Sequence, residues 1–386
     1  MKQLLQTTDH AVVCALNDRA FVVFNGRAIE LEPPTVVIEA DPSNPQQQPE
    51  ESLQAIQAVA IMEQIDGTVW CAVSRFNKSL ALYQVSASTL SAPILSATTV
   101  HSTTKRAGCL TFTTVPDETA PLDIIIAGDL TGDATAFSLS PKQGRLLLGH
   151  TASMLTGVRV VGSRLLTSDR DEKVRISQFP TTTIVLGYLL GHTAFVSCMD
   201  VTDALCVTCG GDSTVRLWDL TTFRELCKVE TTVLPTRVAM RGDLVAVIYE
   251  GVSTLELYQV TNGTTLNMLE SKECCSQPLA VDFPSDSELL VLVSGTDYLI
   301  SYSIENNKLV PKEGAFAALQ ESAKDIVMPT SVMEMDKNGI IKLQKLSEDR
   351  GPAKEKPWNR VGRIQTSKEG QARRKKRQRE AENEDS

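Results

Sequence analysis

Seven short stretches rich in β-branched and aromatic residues recur along the chain: "AFVVFNG" from residue 20, "SLALYQV" from 79, "ATAFSLS" from 134, "KVRISQF" from 173, "TVRLWDL" from 214, "TLELYQV" from 254 and "YLISYSI" from 298. Apolar and polar positions alternate in them, or apolar ones crowd the polar out, as strands require. The last five begin 39, 41, 40 and 44 residues apart. That spacing matches the ~40–45-residue repeat of four-stranded propeller blades. A second apolar run, such as "LVAVIYE" or "ELLVLVSG", lies upstream of each, and no long stretch of helical period interrupts the series. The pattern predicts an all-β protein, a β-propeller of seven four-stranded blades. Radial closure protects the sheet edges in such a ring.

The first two spacings are longer, 59 and 55 residues. The first holds "EADPSNPQQQPEES", a Pro/Gln-rich stretch that predicts a surface loop inserted at about 41–52. The second holds the polar connector "SATTVHSTTKR". Beyond about residue 312 the strand pattern fades. The propeller is assigned to 1–345, with 312–345 open between a ring-closing segment, an extra strand and a short helix. Residues 346–386 form a charged tail too poor in apolar residues to offset chain entropy, and are expected to be disordered.

Charge changes this picture mainly at the end of the chain. The formal net charge is −9. Residues 354–379 nevertheless carry eleven Lys/Arg against Glu355 and Glu369, leaving 27 basic and 41 acidic residues in 1–353. An acidic body with a basic tail suggests a targeting signal or a nucleic-acid contact. The basic run Arg373, Arg374, Lys375, Lys376, Arg377 and Arg379 reads as a nuclear import signal, a sequence-independent phosphate contact or a solubilising tail, and these are not exclusive. No run of eighteen apolar residues is present. The opening "MKQLLQTTDHAVVCAL" reads as a first strand rather than a signal peptide. A nuclear or cytosolic setting is expected, with the nine cysteines as thiols.

"GHTAFVSCMDV" followed by "CVTCGGDSTVRLWDL" resembles a WD repeat, opened by Gly191-His192 and ended by Trp218-Asp219. That resemblance implies a buried hydrogen-bonded chain of His192, Asp212, Trp218 and a strand hydroxyl, Thr208. A catalytic His192–Asp212 pair is the alternative. A closely similar spacing recurs at His150 and Asp171, which argues for a structural role, since a catalytic dyad is not expected twice in one ring. Cys206 and Cys209 form a CxxC inside a strand with no second pair at zinc spacing, so no metal site is expected. No phosphate-binding glycine motif and no nucleophile elbow is found.

The turn "SDRDEKVRIS" of the fourth repeat carries Arg170, Glu172 and Lys173 where its neighbour has Gly211, Ser213 and Thr214. Charges of both signs projecting from one face suit a partner of complementary charge. Solvated charge on a degenerate repeat is the plainer reading. Residues 148–220, with "LGHTASMLTGVRV", "LLTSDRDEKVRIS" and the preceding "AGDLTGDATAFS", resemble the non-catalytic WD-repeat subunit of the tRNA (guanine-N7)-methyltransferase. The resemblance implies a nuclear heterodimer. In it a catalytic subunit binds S-adenosylmethionine and methylates a guanine of the tRNA variable loop. This chain would hold no cofactor, keep that subunit active and stable, and help form the tRNA-binding surface. The resemblance nominates Arg170, Glu172, Lys173 and Arg175 as partner contacts. The competing readings are a generic nuclear WD-repeat scaffold, as in ribosome assembly or chromatin, and an enzyme in its own right; the missing loop cluster of carboxylates or histidines argues against the second.

Overall fold

In the computed structural model, residues 2–34, 54–86, 94–116, 121–140, 144–151, 153–326 and 328 are described. The strand-like stretches are the third strands of seven consecutive blades. Blade 1 comprises β1 (Leu5–Thr7), β2 (Ala11–Leu16), β3 (Arg19–Phe24) and β4 (Arg27–Leu31). Blade 2 comprises β5 (Ile56–Glu63), β6 (Val69–Arg75), β7 (Ser79–Val85) and, after β8 (Ile94–Leu95), β9 (Thr99–Ser102). Blade 3 runs β10 (Ala107–Val115), β11 (Leu122–Asp129), β12 (Asp133–Ser138), β13 (Arg145–Gly149). Blade 4 runs β14 (Leu155–Val161), β15 (Arg164–Asp169), β16 (Lys173–Gln178), β17 (Val185–Leu190). Blade 5 runs β18 (Val196–Val201), β19 (Leu205–Gly210), β20 (Thr214–Asp219), β21 (Arg224–Glu230). Blade 6 runs β22 (Pro235–Arg241), β23 (Leu244–Tyr249), β24 (Thr254–Thr261), β25 (Thr265–Glu273). Blade 7 runs β26 (Pro278–Ser285), β27 (Glu288–Val293), β28 (Leu299–Glu305), β29 (Lys308–Lys312).

The all-β, seven-bladed expectation is borne out, with one addition. The two-residue β8 pairs parallel to β4 on the outer edge of blade 1, which becomes a five-stranded sheet. Between β7 and β9 of blade 2 the chain thus contributes β8 to the neighbouring blade. Elsewhere pairing within each blade is antiparallel and sequential. Tight hairpins allow this: β3 and β4 are joined by Asn25-Gly26, both at positive φ (50° and 72°), the conformation a two-residue turn demands. The innermost strands of blades 2 to 7 each carry a register shift near their start, at Ile56/Ala58 and Leu155/Gly157 for example. Such bulges sharpen strand twist.

The core lies between blades, where sheets stack face to face. Val207, Cys209, Val215 and Leu217 of blade 5 meet Val238, Val245 and Val247 of blade 6. The inner edges of the inner strands face a polar centre and have no strand to pair with. Side chains from the neighbouring blade, or in one case from the N-terminal residues ahead of blade 1 reaching blade 3, satisfy several of their amides. Asp200 accepts the Met240 N–H at 2.8 Å, Gln6 the Ile61 N–H at 2.8 Å, and Gln3 the Leu110 N–H at 3.2 Å.

Ring closure uses no strand shared between the chain ends, since β1 to β4 and β26 to β29 form separate sheets. Asp282 on β26 accepts both the N–H and the hydroxyl of Thr7 on β1, at 2.7 and 3.0 Å. Arg241 reaches Asp9 and Asp286, each at 2.9 Å. Residues 312–345, left open by the sequence, begin with a short helix, α1 (Ala317–Ser322). Leu319, Ala323, Ile326 and Met328 join the apolar cluster that blades 7, 1 and 2 share. Tyr298, buried beside β28, offers its hydroxyl to the carbonyls of Ala323 and Ile326 at 2.5 and 2.9 Å. Arg19 binds both Glu30 and Asp325. The loop at 41–52 and the tail lie outside the described residues.

Two predictions follow from the closing joint. Tyr298→Phe leaves buried carbonyls without their donor and is expected to cost about 1–3 kcal/mol in urea denaturation; an unchanged midpoint would remove the latch role. Burial and the charge of Asp200 push Asp282 up to about 6, against about 3.9 for a free carboxyl. The folded state then binds the proton more tightly than the unfolded one, so this group adds stability as pH falls from 7.5 towards 5. Urea midpoints across that range should show Asp282→Asn with a shallower acid-side rise than the parent chain.

Candidate partner-binding site

Blade 5 carries the buried hydrogen-bonded chain at its full length. His192 Nδ1 lies 2.9 and 3.0 Å from the two carboxylate oxygens of Asp212. Its Nε2 lies 2.8 Å from Thr208 Oγ1, which accepts the Trp218 indole N–H at 2.8 Å. A threonine oxygen accepting from tryptophan directs its own proton to Nε2, so a neutral imidazole donates from Nδ1 to Asp212. Burial alone would raise the Asp212 carboxyl; the hydrogen bond from His192, then those from the Thr214 hydroxyl and the Thr193 N–H, outweigh it and hold the group well below the usual carboxylate range. Both imidazole nitrogens are engaged within the blade, and the ring is buried. The arrangement fixes a blade and leaves no nitrogen for an outside substrate.

Blade 4 uses the same chemistry with a different carboxylate. His150 Nδ1 lies 2.7 Å from Asp169 Oδ2, and Nε2 lies 2.7 Å from Thr167 Oγ1. The assignment of Asp171 to this chain is therefore corrected to Asp169. Asp171 does occupy the turn position of Asp212, but it is half-buried and gives its own N–H to Asp169 at 2.8 Å. Asp169 stands where blade 5 has Gly210. A Cβ at Gly210 would come within 2.6 Å of the Phe195 carbonyl and 3.0 Å of His192 Nδ1, so blade 5 has no room for a side chain there. Blade 3 again places an aspartate at the end of its second strand: Asp129 accepts the N–H groups of Thr131, Gly132 and Asp133 at 2.8–3.0 Å.

The charged turn divides into two pairs. Lys173 Nζ lies 2.8 Å from the buried Asp169. Arg175 donates to Ser177 Oγ at 3.0 Å and to the carbonyls of Gly149 and Thr182 at 3.3 Å each. These two brace the blade, and Ser177 fills the register position that Trp218 holds in blade 5. Arg170 and Glu172 occupy the crest of the turn, Glu172 at φ +76° where blade 5 has Ser213 at +55°. Arg170 Nε lies 4.0 Å from Asp171. All four side chains belong to half-buried residues.

Sequence reading missed what lies beside this turn. Lys173 pairs with Leu190 and Arg175 with Tyr188 on the outermost strand β17. Leu190 is 67% exposed, and Ile184, Val185, Leu186 and Tyr188 are 40–47% exposed. The segment "TIVLGYLL" carries no charge, and that absence was the available signal. Cys206 and Cys209, three apart on one strand, point to opposite faces: Cys206 joins the core towards blade 4, Cys209 that towards blade 6. Burial pushes both thiols far up. The basic run from Arg373 to Arg379 lies outside the described residues.

Together the repeated His–Asp–Thr chains and four-stranded blades define a WD-repeat β-propeller. The fold matches a chain in a crystal structure of a mitotic checkpoint complex, with a TM-score of 0.61 over 79% of this chain and 87% of that one at 16% identity. A family model described as the tRNA methyltransferase TRM82 WD40 domain matches residues 141–309, so the resemblance seen in the sequence is borne out over those residues. The chain is 28% identical over 238 residues to a Xenopus laevis protein named as the tRNA (guanine-N(7)-)-methyltransferase non-catalytic subunit wdr4, covering 56% of this chain and 57% of that protein. To the Danio rerio protein of that name it is 32% identical over 217 residues, 50% of this chain and 51% of the other. The corresponding trm82 subunit of Aspergillus oryzae is 33% identical over 178 residues, covering 39% of this chain and 36% of that one. The chain spans about half the length of the curated relatives it matches first.

The two aspartates of blade 4 give a direct test. Asp169→Ala strips a buried histidine and Lys173 of their acceptor and is expected to cost about 3–5 kcal/mol. Asp171→Ala should cost much less. Equal losses in urea denaturation would return Asp171 to the buried chain.

Proposed function

We propose that the chain is the non-catalytic subunit of a tRNA (guanine-N7)-methyltransferase. It binds the catalytic subunit through the crest of the blade 4 turn and the apolar strand beside it. It keeps that subunit in an active arrangement and helps form the tRNA-binding surface. S-adenosylmethionine belongs to the partner, and the basic tail directs the complex to the nucleus. The observation that carries this reading is the juxtaposition of Arg170 and Glu172 with the exposed apolar stripe of β17. An apolar centre beside charges of both signs has the composition of a protein interface. The match to the TRM82 WD40 domain, over residues 141–309, spans this turn and strand. Lys173 and Arg175, tied into the blade, support the surface from beneath and meet the partner only at their outer ends.

The deciding experiment is methyl transfer to guanine-containing tRNA by the purified candidate methyltransferase of the same organism, with and without this chain. Stimulation by the chain, and no activity of the chain alone, is the expected result. Arg170→Glu with Leu190→Asp is expected to weaken co-purification at least tenfold while leaving the circular dichroism spectrum and melting temperature near those of the parent. Full stimulation by that variant would move the interface elsewhere. Absence of both stimulation and co-purification would overturn the subunit reading.

A further inference from the structure

The inner strands of blades 1, 4, 5, 6 and 7 line a central cavity of about 360 Å³. Its charged side chains are Arg159, Asp200, Arg237, Arg241 and Asp282. Four of these have partners of opposite charge or strong donors. Asp200 holds Arg159 Nε at 3.1 Å and the Met240 amide at 2.8 Å. Asp282 accepts from Thr7, and Arg241 pairs with Asp9 and Asp286. Arg237 differs. It is 8% exposed, yet its guanidinium meets only the Thr236 carbonyl, 3.5 Å from Nη1, and the Cys198 sulfur. Nη2 has no partner. At the equivalent position after the inner-strand bulge, blades 2, 3, 4, 5 and 7 carry Ala58, Cys109, Gly157, Cys198 and Ala280. Only blade 6 places a charge there.

A buried cation without an anion is costly. Burial, and to a smaller degree the charge of Arg159, disfavour the charged form of Arg237. We propose that the central channel binds one small inorganic oxyanion of the phosphate or sulfate class, with Arg237 as its main ligand and Arg159 facing it. The planar guanidinium presents parallel N–H donors that match two oxygens of a tetrahedral oxyanion. An anion there supplies the acceptor that Nη2 lacks and relieves the repulsion between the arginines. Room for it comes from the small residues Gly157, Ala239 and Ala280 on the same lining. Asp200 and Asp282 remain with their own donors and disfavour larger polyanions.

Selenate is a suitable probe, because it keeps its charge across neutral pH and scatters anomalously. With the full chain in low-salt chloride buffer, equilibrium dialysis should find about one selenate per chain, displaced by inorganic phosphate. Crystals soaked in selenate should show an anomalous peak within hydrogen-bond distance of Arg237 Nη2. Arg237→Met should weaken binding at least tenfold with an unchanged circular dichroism spectrum. No saturable binding, selenate on surface lysines only, or equal binding by Arg237→Met would each overturn the proposal. Should Arg237→Met fail to fold, the position of the peak in the parent crystals decides by itself.

Discussion

Every blade buries both faces against its neighbours, so the joint between blade 7 and blade 1 bears on all the others: if it opens, two apolar sheet faces meet water. Here no strand is exchanged across that joint. Asp282 fastens Thr7, Arg241 ties Asp9 to Asp286, and α1 with the residues after it lies over the shared apolar cluster. Polar contacts set the register and the helix excludes water from it. Burial, then the charge of Asp200, raises the Asp282 pKa against the opposing pull of its hydrogen bonds with Thr7.

The same constraint accounts for the polar centre. Inner strands expose one edge to the channel, and an unpaired amide there needs an acceptor. Carboxylates and amides reaching from the next blade supply several: Asp200 for Met240, Asp282 for Thr7, Gln6 for Ile61. Charges introduced for that purpose need counter-charges, and Arg159 answers Asp200. Arg237 answers none of these amides, since its own strand edge is served by Asp200. Its presence is therefore not explained by the closing of the ring.

The repeat was legible because a blade is a local object. Alternation marks each third strand, and a steady spacing of about 40 residues marks the blades. The buried chain of blade 5 was legible for the same reason, since His192, Thr208, Asp212 and Trp218 sit within one repeat. Aligning blade 4 on the aspartate it shares with blade 5 misplaced one partner. The hydrogen bond to His150 depends on whether the end of the second strand is a glycine, as at Gly210, or an aspartate, as at Asp169. Contacts between distant repeats leave no comparable trace: nothing around Thr7 announces Asp282, and nothing in "AALQES" announces Tyr298. The addition of β8 to blade 1 is of that kind too, a pairing decided by where a long connection happens to pass.

Edge strands ordinarily carry charge that keeps them from pairing with another chain. Blade 5 follows this practice on β21, which bears Arg224, Glu225, Lys228 and Glu230. Blade 4, next to it and built on the same chemistry, has Val185, Leu186, Tyr188 and Leu190 on β17. In blade 5 one of these charges supports the buried chain, since Glu225 holds Arg216, which also binds Asp212; the His150–Asp169–Thr167 chain of blade 4 takes its charged brace from Lys173 on β16 instead. The charges absent from β17 reappear one strand inward, on the turn and on β16, where Lys173 and Arg175 brace the blade and Arg170 and Glu172 crown it. An edge left apolar and framed by fixed charges is protected in the free chain only weakly, and is protected fully once another surface covers it. This favours a division of labour within the ring, with blade 5 serving the fold and blade 4 serving an encounter.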